Sequence, residues 1–126
     1  GYSSTSLKER IYCRPSGDGS GPMAGILIYT ASPDSEGTLG GLVALGRPKA
    51  FEPILRSGLE RARICSSDPI CSHREIEKEA KLHGAACHSC GFLAETSCER
   101  ANQFLDRAFL VNTLGASGLA YFGDLR

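Results

Sequence analysis

The chain has 126 residues, of which 41% are apolar and 22% charged, and its 14 basic residues balance its 14 acidic ones. This length fits one ordinary domain, and the composition is that of a globular protein, which argues against wholesale disorder. The net charge is zero, so the chain lacks the excess of basic residues that is typical of an autonomous nucleic-acid-binding protein. No run approaches the ~20 consecutive apolar residues of a membrane-spanning helix, and the N-terminal residues contain no hydrophobic signal core. Because the sequence starts with Gly1 instead of Met, we expect a segment of a longer protein.

Two strands are predicted near the start of the chain. Residues 9–13 have the composition of a short strand. Residues 24–30 form an apolar run rich in Ile and Tyr between turn residues, which predicts a buried strand. The Gly, Ser, Asp and Pro residues of 15–22 predict a loop between them. Residues 38–45 are ambiguous, because the Gly40-Gly41 pair weakens a helix and indicates a helix entry or a close backbone approach.

Two helices are predicted in the middle of the chain. The first covers residues 51–63, with Pro53 in its first turn. One apolar face of this helix is formed by Phe51, Ile54, Leu55, Leu59 and Ala62. The second runs from residue 73 to about residue 82, behind a capping Ser72.

The best-supported helix covers residues 96–112, because Thr96 and Glu99 have the spacing of a capping box. Its inward stripe would consist of Ala101, Phe104, Leu105, Ala108, Phe109 and Asn112. Residues 115–123 are predicted to form a loose tail. These elements together predict a small α+β domain, in which one or two short strands pack on two or three helices.

Five of the six cysteines lie in the second half of the chain. Cys87 and Cys90 form a CxxC pair, whose spacing lets two thiolates converge on one cation, and Gly91 would relieve the tight turn. Cys98 would lie in the first turn of the last predicted helix, where the helix dipole favours a thiolate. With Cys71 as the fourth ligand, the sequence predicts a closed site of four thiolates that binds Zn²⁺ in a structural role.

Alternatives to this site remain open at the sequence level. Cys65 competes with Cys71 for the fourth position, and Cys13 is interpreted as an ordinary buried apolar residue. Six cysteines allow 15 disulfide pairings, but no secretory signal accompanies them. The CxxC pair could also be a redox dithiol using Cys87, although no convincing strand precedes it. His83 and His88 are near enough in sequence to be ligands, but surface or supporting imidazoles are the commoner case.

The sequence contains no GxxxxGK[ST] or DExH motif and no convincing grouping for nucleophilic catalysis. Three polar residues of the last predicted helix, Asn102, Asp106 and Arg107, could contact a partner, orient the zinc site or simply face solvent.

A nucleic-acid-binding module is a rival interpretation of the function of this chain. It requires basic side chains to cluster on one face, either Lys8, Arg10 and Arg14 or Arg56, Arg61 and Arg63.

Three runs carry a family resemblance: GAACHSC at 84–90, ETSCE at 95–99 and NQFLDR at 102–107. In this order they resemble the MrfA-type zinc-binding domain, which lies near the C terminus of some superfamily 2 helicases and their companion proteins. The resemblance covers about residues 9–113. The segments CSSDPIC and TLGGLVALGRP are most similar to helicase-associated members of this family from the DISARM anti-phage defence system.

The resemblance implies one zinc-binding domain over residues 1–126 with Zn²⁺ as its cofactor and no enzymatic activity. It also implies a cytoplasmic protein that docks to a superfamily 2 helicase of the same system (DrmA-like) or to the rest of its own chain. DNA would be contacted through that complex, and neither a membrane nor a small-molecule substrate is expected.

Overall fold

The computed structural model describes residues 6–16, 19, 21–30, 41–76 and 82–124. Within these ranges the elements are β1 (Leu7–Arg14), β2 (Met23–Thr30), α1 (Gly41–Leu45), α2 (Pro48–Ala62) and one short 3-10 helix (Arg107–Phe109). Two strands and two α-helices make a small α+β domain, as the sequence predicts. Of the helices described, none has the length and apolar character needed to cross a membrane.

β1 and β2 pair antiparallel, with Leu7 opposite Thr30 and Arg14 opposite Met23. Both predicted strands are therefore present, and both are longer than predicted. The predicted burial of the second strand is wrong, since Ile26 is 70% exposed and Ile28 49% exposed. The reason is that, among the described elements, no helix or second sheet packs extensively on either face of this two-stranded sheet.

The outer edge of β1 lies against the segment that contains residues 97–99. The Glu9 N–H donates to the Ser97 carbonyl at 3.4 Å, and the Ile11 N–H donates to a Glu99 carboxylate oxygen at 3.1 Å. Arg10 also lies 3.8 Å from the Glu99 carboxylate. These polar contacts join the two-stranded sheet to the half of the chain that holds most of the cysteines.

Helix α2 begins three residues earlier than predicted, because Arg47 is its N-cap and Pro48, instead of Pro53, occupies the first turn. Pro48 has the fixed φ that suits this position, and its missing N–H costs nothing there. Pro53 lies inside the helix, where it cannot donate to the Lys49 carbonyl. Of the predicted apolar face, Leu59 alone is buried.

The predicted helix over residues 96–112 is wrong. Ala101, Asn102 and Phe104 have positive φ angles of 48°, 60° and 61°, which no α-helix contains. The segment forms turns and ends in the short 3-10 helix. Polar side chains that bond to nearby backbone groups compete with a helix, and Asn102 and Asp106 both form such bonds, as described below.

The predicted helix from 73 to 82 falls partly outside the described residues, which omit 77–81. Residues 73–75 are not helical. Ser72 does not cap a helix here, because its hydroxyl donates to the Pro69 carbonyl at 3.1 Å. Gly40 also falls outside the described residues, whereas Gly41 begins α1.

The C-terminal segment is not the loose tail that the sequence predicts. The Tyr121 N–H donates to the Phe109 carbonyl and the Phe122 N–H to the Leu110 carbonyl, both at 2.9 Å. Gly115 approaches residue 72 so closely that an added Cβ would lie 2.0 Å from the Ser72 carbonyl oxygen. Residues 109–122 therefore fold back on themselves and pack on the cysteine-rich region.

Candidate metal centre

Four cysteine sulfurs converge in the described part of the chain. The sulfurs of Cys65, Cys71, Cys87 and Cys90 all lie within 4.8 Å of one another. Cys65 and Cys71 are buried, and Cys87 and Cys90 are half-buried. None of the six cysteines is disulfide-bonded, so the disulfide framework considered from the sequence is not formed.

The separations within this cluster fit a tetrahedral metal site. The sulfur of Cys65 lies 3.5 Å from that of Cys87, and the Cys90 sulfur lies 3.8 Å from those of Cys71 and Cys87. A tetrahedron with zinc–sulfur bonds of ~2.3 Å has edges of about 3.8 Å. A disulfide would instead bring two sulfurs to ~2.05 Å. The four thiols therefore fit a thiophilic divalent cation without rearrangement.

A tight turn presents the CxxC pair. The Cys87 carbonyl accepts hydrogen bonds from the N–H groups of Cys90 (3.1 Å), Gly91 (2.9 Å) and Phe92 (3.0 Å). Gly91 does not have the positive φ that would itself require glycine. A Cβ at this position would lie 3.4 Å from the Ala86 Cβ, so close packing accounts for the glycine better than turn strain does.

The other two sulfurs come from a loop that Asp68 organises. One carboxylate oxygen of Asp68 accepts the Cys65 N–H at 2.9 Å. The Cys71 N–H donates to the Ser67 carbonyl at 3.0 Å, and the Ser67 N–H points at the Cys65 sulfur at 3.4 Å. An N–H group directed at a sulfur stabilises its thiolate form.

Arg107, which comes much later in the sequence, supports this loop with its guanidinium group. Its guanidinium donates to the second carboxylate oxygen of Asp68 at 2.5 Å and to the Ala62 carbonyl at 2.8 Å. Both charged side chains are buried, with 5% and 4% of the side-chain surface exposed. Burial raises the pKa of Asp68, but its bonds from Arg107 and the Cys65 N–H outweigh this and hold that pKa below the ordinary value. Asp68 therefore remains a carboxylate that positions the Cys65 backbone.

The thiols of the cluster differ in acidity. Burial raises the pKa of Cys71 and of Cys90. At Cys87 burial acts in the same direction, but the Ser89 N–H and the neighbouring sulfurs outweigh it and lower the pKa to about 6. Cys87 therefore ionises more readily than Cys71 or Cys90. A bound cation would offset the cost of burying the further thiolates.

The structure brings three of the predicted ligands together, Cys71, Cys87 and Cys90, and adds Cys65 to them. Cys65 and Cys71, which the sequence treats as competitors, are both in the cluster, and Cys98 lies outside it. Cys98 is buried, and its sulfur accepts the Asn102 N–H at 3.3 Å. The helix dipole argument for Cys98 fails because the helix that would supply the dipole does not form.

Asn102, Asp106 and Arg107 do not form an exposed helix face. The Asn102 side chain is buried and pairs with both backbone groups of Leu93, at 2.9 and 2.8 Å. Asp106 accepts the N–H groups of Ala85 (3.2 Å) and Ala108 (2.9 Å) with one oxygen. The three residues therefore hold the backbone around the cysteine cluster, which is the supporting role considered for them from the sequence.

The remaining sequence candidates lie outside the cluster. His83 is buried, with its Nε2 against the Arg74 guanidinium, and its ring meets Phe92 edge-on at 5.0 Å. His88 contacts the same phenyl ring at 4.9 Å. Cys13 is exposed on β1, so the prediction that it is buried is wrong.

Comparison with known proteins places this arrangement in a family. The sequence profile of the MrfA Zn-binding domain matches residues 1–91, a span that includes all four clustered cysteines and ends before Cys98. The DISARM protein DrmB of Bacillus paralicheniformis is 45% identical over 125 residues, which cover 99% of this chain and 21% of that protein. The chain thus spans about a fifth of the length of the curated relative that it matches. The resemblance found in the sequence is confirmed.

Proposed function

This chain belongs to the MrfA Zn-binding domain family, and we propose that it is a non-catalytic zinc module of a cytoplasmic anti-phage defence protein. In this role the metal orders a surface that docks to the rest of the protein or to a superfamily 2 helicase. The whole of residues 1–126 forms one such domain. The similarity to a DISARM protein supports the defence role.

The observation that carries the proposal is the cluster of four thiols at tetrahedral separations. Cys65, Cys71, Cys87 and Cys90 would hold Zn²⁺. Four protein ligands complete the tetrahedral coordination of a zinc ion, so no coordination position remains for water or substrate. Sites of this kind are structural. Bound zinc would join the loop 65–71 to the segment 84–91, two parts of the chain that are otherwise connected by polar side chains.

An apolar face on α2 supports a docking role. Phe51 is 42% exposed, Ile54 49% and Leu55 37%. Leu55 also lines, with Leu59 and Phe122, a groove of about 170 Å³, whose other lining residues are the charged Glu52, Arg56, Glu60 and Arg63. Apolar patches of this kind mark interaction surfaces. The occupant that we propose is the remainder of a longer polypeptide, because the matched region is only 21% of the DISARM relative.

The metal assignment is tested by elemental analysis and by the spectrum of the cobalt-substituted protein. We expect one zinc per chain and the charge-transfer bands of a tetrathiolate. Cys65→Ser should lose stoichiometric binding, whereas Cys98→Ser, the matched control, should retain it. Bands that fit fewer than three sulfurs, or zinc loss with Cys98→Ser alone, would contradict this ligand set.

The docking role is tested in the full-length protein by limited proteolysis and by pull-down of the helicase partner. We expect Cys90→Ser and Ile54→Glu to expose new cleavage sites next to this domain and to weaken helicase capture. Arg61→Glu, an exposed charge change on the same helix, is the control and should behave as wild type. If Ile54→Glu leaves both readouts unchanged, α2 does not dock and the proposal is wrong.

A further inference from the structure

The β1–β2 sheet has two outer edges, and the described residues provide a partner for one of them. At the edge of β1, the N–H groups of Glu9 and Ile11 donate to the segment of residues 97–99. At β2, among the residues that the structure describes, no backbone hydrogen bond outside the ladder with β1 involves Met23–Thr30. Within the described part of the chain, β2 is therefore an open edge strand of eight residues.

The bonds of β1 identify the backbone groups of β2 that point outwards. In an antiparallel pair, the N–H and C=O groups of alternate residues point to the partner strand, and those of the residues between them point away. The N–H groups of Glu9 and Ile11 point away from β2. The residues opposite them therefore also point their N–H and C=O groups away from the ladder. This outward set of β2 consists of Ala24, Ile26, Ile28 and Thr30.

β2 lacks the features that protect an open edge strand. Native edge strands carry a Pro, a charged residue or a bulge, each of which hinders the pairing of a further strand. The sequence of Met23–Thr30 contains neither a Pro nor a charged residue. Its register with β1 also runs from end to end without a bulge. The outward N–H and C=O groups of β2 are thus arranged to pair with another strand.

From this edge we infer that β2 pairs with a third strand, which belongs to the remainder of a longer polypeptide. The inference rests on the proposed function in one respect, namely that this domain docks to the rest of its own protein. The matched region is only 21% of the DISARM relative, so most of that protein lies outside it. A strand on the same polypeptide has an effective concentration of roughly a millimolar. This favours it over a second copy of the chain or a separate protein.

The side chains along the edge indicate what kind of strand fits. On one face of the sheet, Ile26 is 70% exposed, Ile28 49% and Ile11 of β1 52%. On the other face, Leu27 is 48% and Tyr29 40% exposed. Pairs of β-branched and aromatic residues on neighbouring strands stabilise a sheet, so the third strand should be uncharged and rich in Val, Ile or Thr. A third strand would also bring this marginal two-stranded sheet to the size at which sheets become stable.

Hydrogen exchange of the full-length protein, resolved to single residues, tests the proposal. We expect the amides of Ile26, Ile28 and Thr30 to exchange at least about 100-fold more slowly than in an unfolded chain, because the third strand would accept them. The amides of Leu27 and Tyr29 point to β1 and are the internal control. If the outward amides exchange as in an unfolded chain while the control amides stay protected, the edge is open in the whole protein and the proposal is wrong.

Two variants test whether the bonds are made by the β2 backbone. Ile28→Pro removes an outward N–H but no bond to β1, since edge strands tolerate Pro where the N–H faces outwards. It should abolish the protection of the Ile26 and Thr30 amides, whereas Ile28→Val, the matched control, should retain it. Ile26→Lys adds a charge of the kind that protects edges, and it should have the same effect without a change in the backbone. Unchanged protection in both variants, at unchanged zinc content, would contradict the pairing.

The same measurement identifies the occupant of the edge. Protection that persists through a dilution of about 100-fold, in the absence of the helicase, indicates a strand of the same polypeptide. Protection that is lost on dilution would indicate a second copy, and protection that appears only with the helicase would indicate that protein. Either of these two results overturns the proposal.

The docking of α2 is tested separately from the third strand. If Ile54→Glu alters proteolysis and helicase capture but the outward amides of β2 exchange freely, the third strand alone is wrong. If these amides are protected while Ile54→Glu has no effect, the docking role of α2 is wrong and the third strand stands.

Discussion

Arg107 connects three parts of the molecule through one guanidinium. It bonds the carbonyl at the end of α2 and the carboxylate of Asp68, whose other oxygen bonds the Cys65 N–H. The loop of residues 65–71, which carries Cys65 and Cys71, thus takes its position from a residue much later in the chain. Replacing a group that orients metal ligands typically lowers metal affinity by about 10–100-fold.

We expect Arg107→Met to lower the free energy of unfolding by about 3–5 kcal/mol, because it leaves the buried Asp68 carboxylate without its partner. The zinc affinity should fall by about 10–100-fold as the Cys65 loop loses its orientation. Urea unfolding and competition with a chelator measure the two effects.

Arg56→Met is the control for this prediction. Arg56 and Glu52 form an exposed pair at 3.7 Å on α2, which should contribute only ~0.3–0.5 kcal/mol. Adding Asp68→Asn to Arg107→Met should recover part of the lost stability, since the amide oxygen still accepts the Cys65 N–H without a buried charge. Additive losses in the double variant would contradict the coupling of the two residues.

The cysteine cluster illustrates what residue types alone could predict. The CxxC spacing predicted that the sulfurs of Cys87 and Cys90 lie together, because two residues three positions apart can present their side chains from a single turn. The other pair was harder, since Cys65 and Cys71 are brought together by Asp68 and Arg107, and Arg107 lies far along the chain. Cys98 lies outside the cluster, and the helix on which its predicted place in the site depended does not form.

At the scale of elements, sequence patterns predicted the two strands and α2, whose formation depends mainly on neighbouring residues in the chain. The strands were predicted from composition and from an apolar run between turn residues, and α2 was predicted from an apolar face that recurs with the helical period. Residues 96–112 have helical periodicity too, but Asn102 bonds Leu93 and Asp106 bonds Ala85. These tertiary hydrogen bonds outweigh helix propensities of a few tenths of a kcal/mol per residue.

Two glycines should respond oppositely to the same substitution. Gly58 lies inside α2 with nothing within 4 Å of an added Cβ, so Gly58→Ala should raise the free energy of unfolding by up to ~1 kcal/mol. Gly115→Ala should lower it by at least about 2 kcal/mol, because the Cβ would overlap the Ser72 carbonyl oxygen. Thermal unfolding of the zinc-loaded variants measures both. If Gly115→Ala leaves the free energy of unfolding unchanged, residues 109–122 do not pack against Ser72, next to the loop of residues 65–71.

At the scale of the whole molecule, the buried residues are few and concentrated around the metal cluster. Of the 14 buried residues among those described, 13 lie between positions 65 and 111, and Leu59 is the exception. Most of the apolar ones are cysteine or alanine, and Val111 and Leu59 are the larger aliphatic residues. Because hydrophobic stabilisation scales with buried apolar area, such a core contributes little without the metal.

The elements outside this region cannot compensate. An isolated two-stranded sheet is at best marginally stable in water. A helix of 15 residues such as α2 is also marginal when it lacks a packed face. We therefore expect the fold to depend on the proposed zinc ion, which would join residues 65–71 to residues 87–90.

Removing zinc with a chelator should unfold this region cooperatively. We expect backbone amides of residues 65–76 and 82–116 to lose their protection from hydrogen exchange, and added zinc to restore it, since binding energy at structural zinc sites is folding energy. Above saturation, each tenfold rise in free zinc should increase the free energy of unfolding by about 1.4 kcal/mol. Cys13→Ser, an exposed change on β1, should follow the same zinc dependence as wild type. If the chelated protein keeps its protection pattern, the polar network of Asn102, Asp106 and Arg107 suffices without metal, and the cluster is not the element on which folding depends.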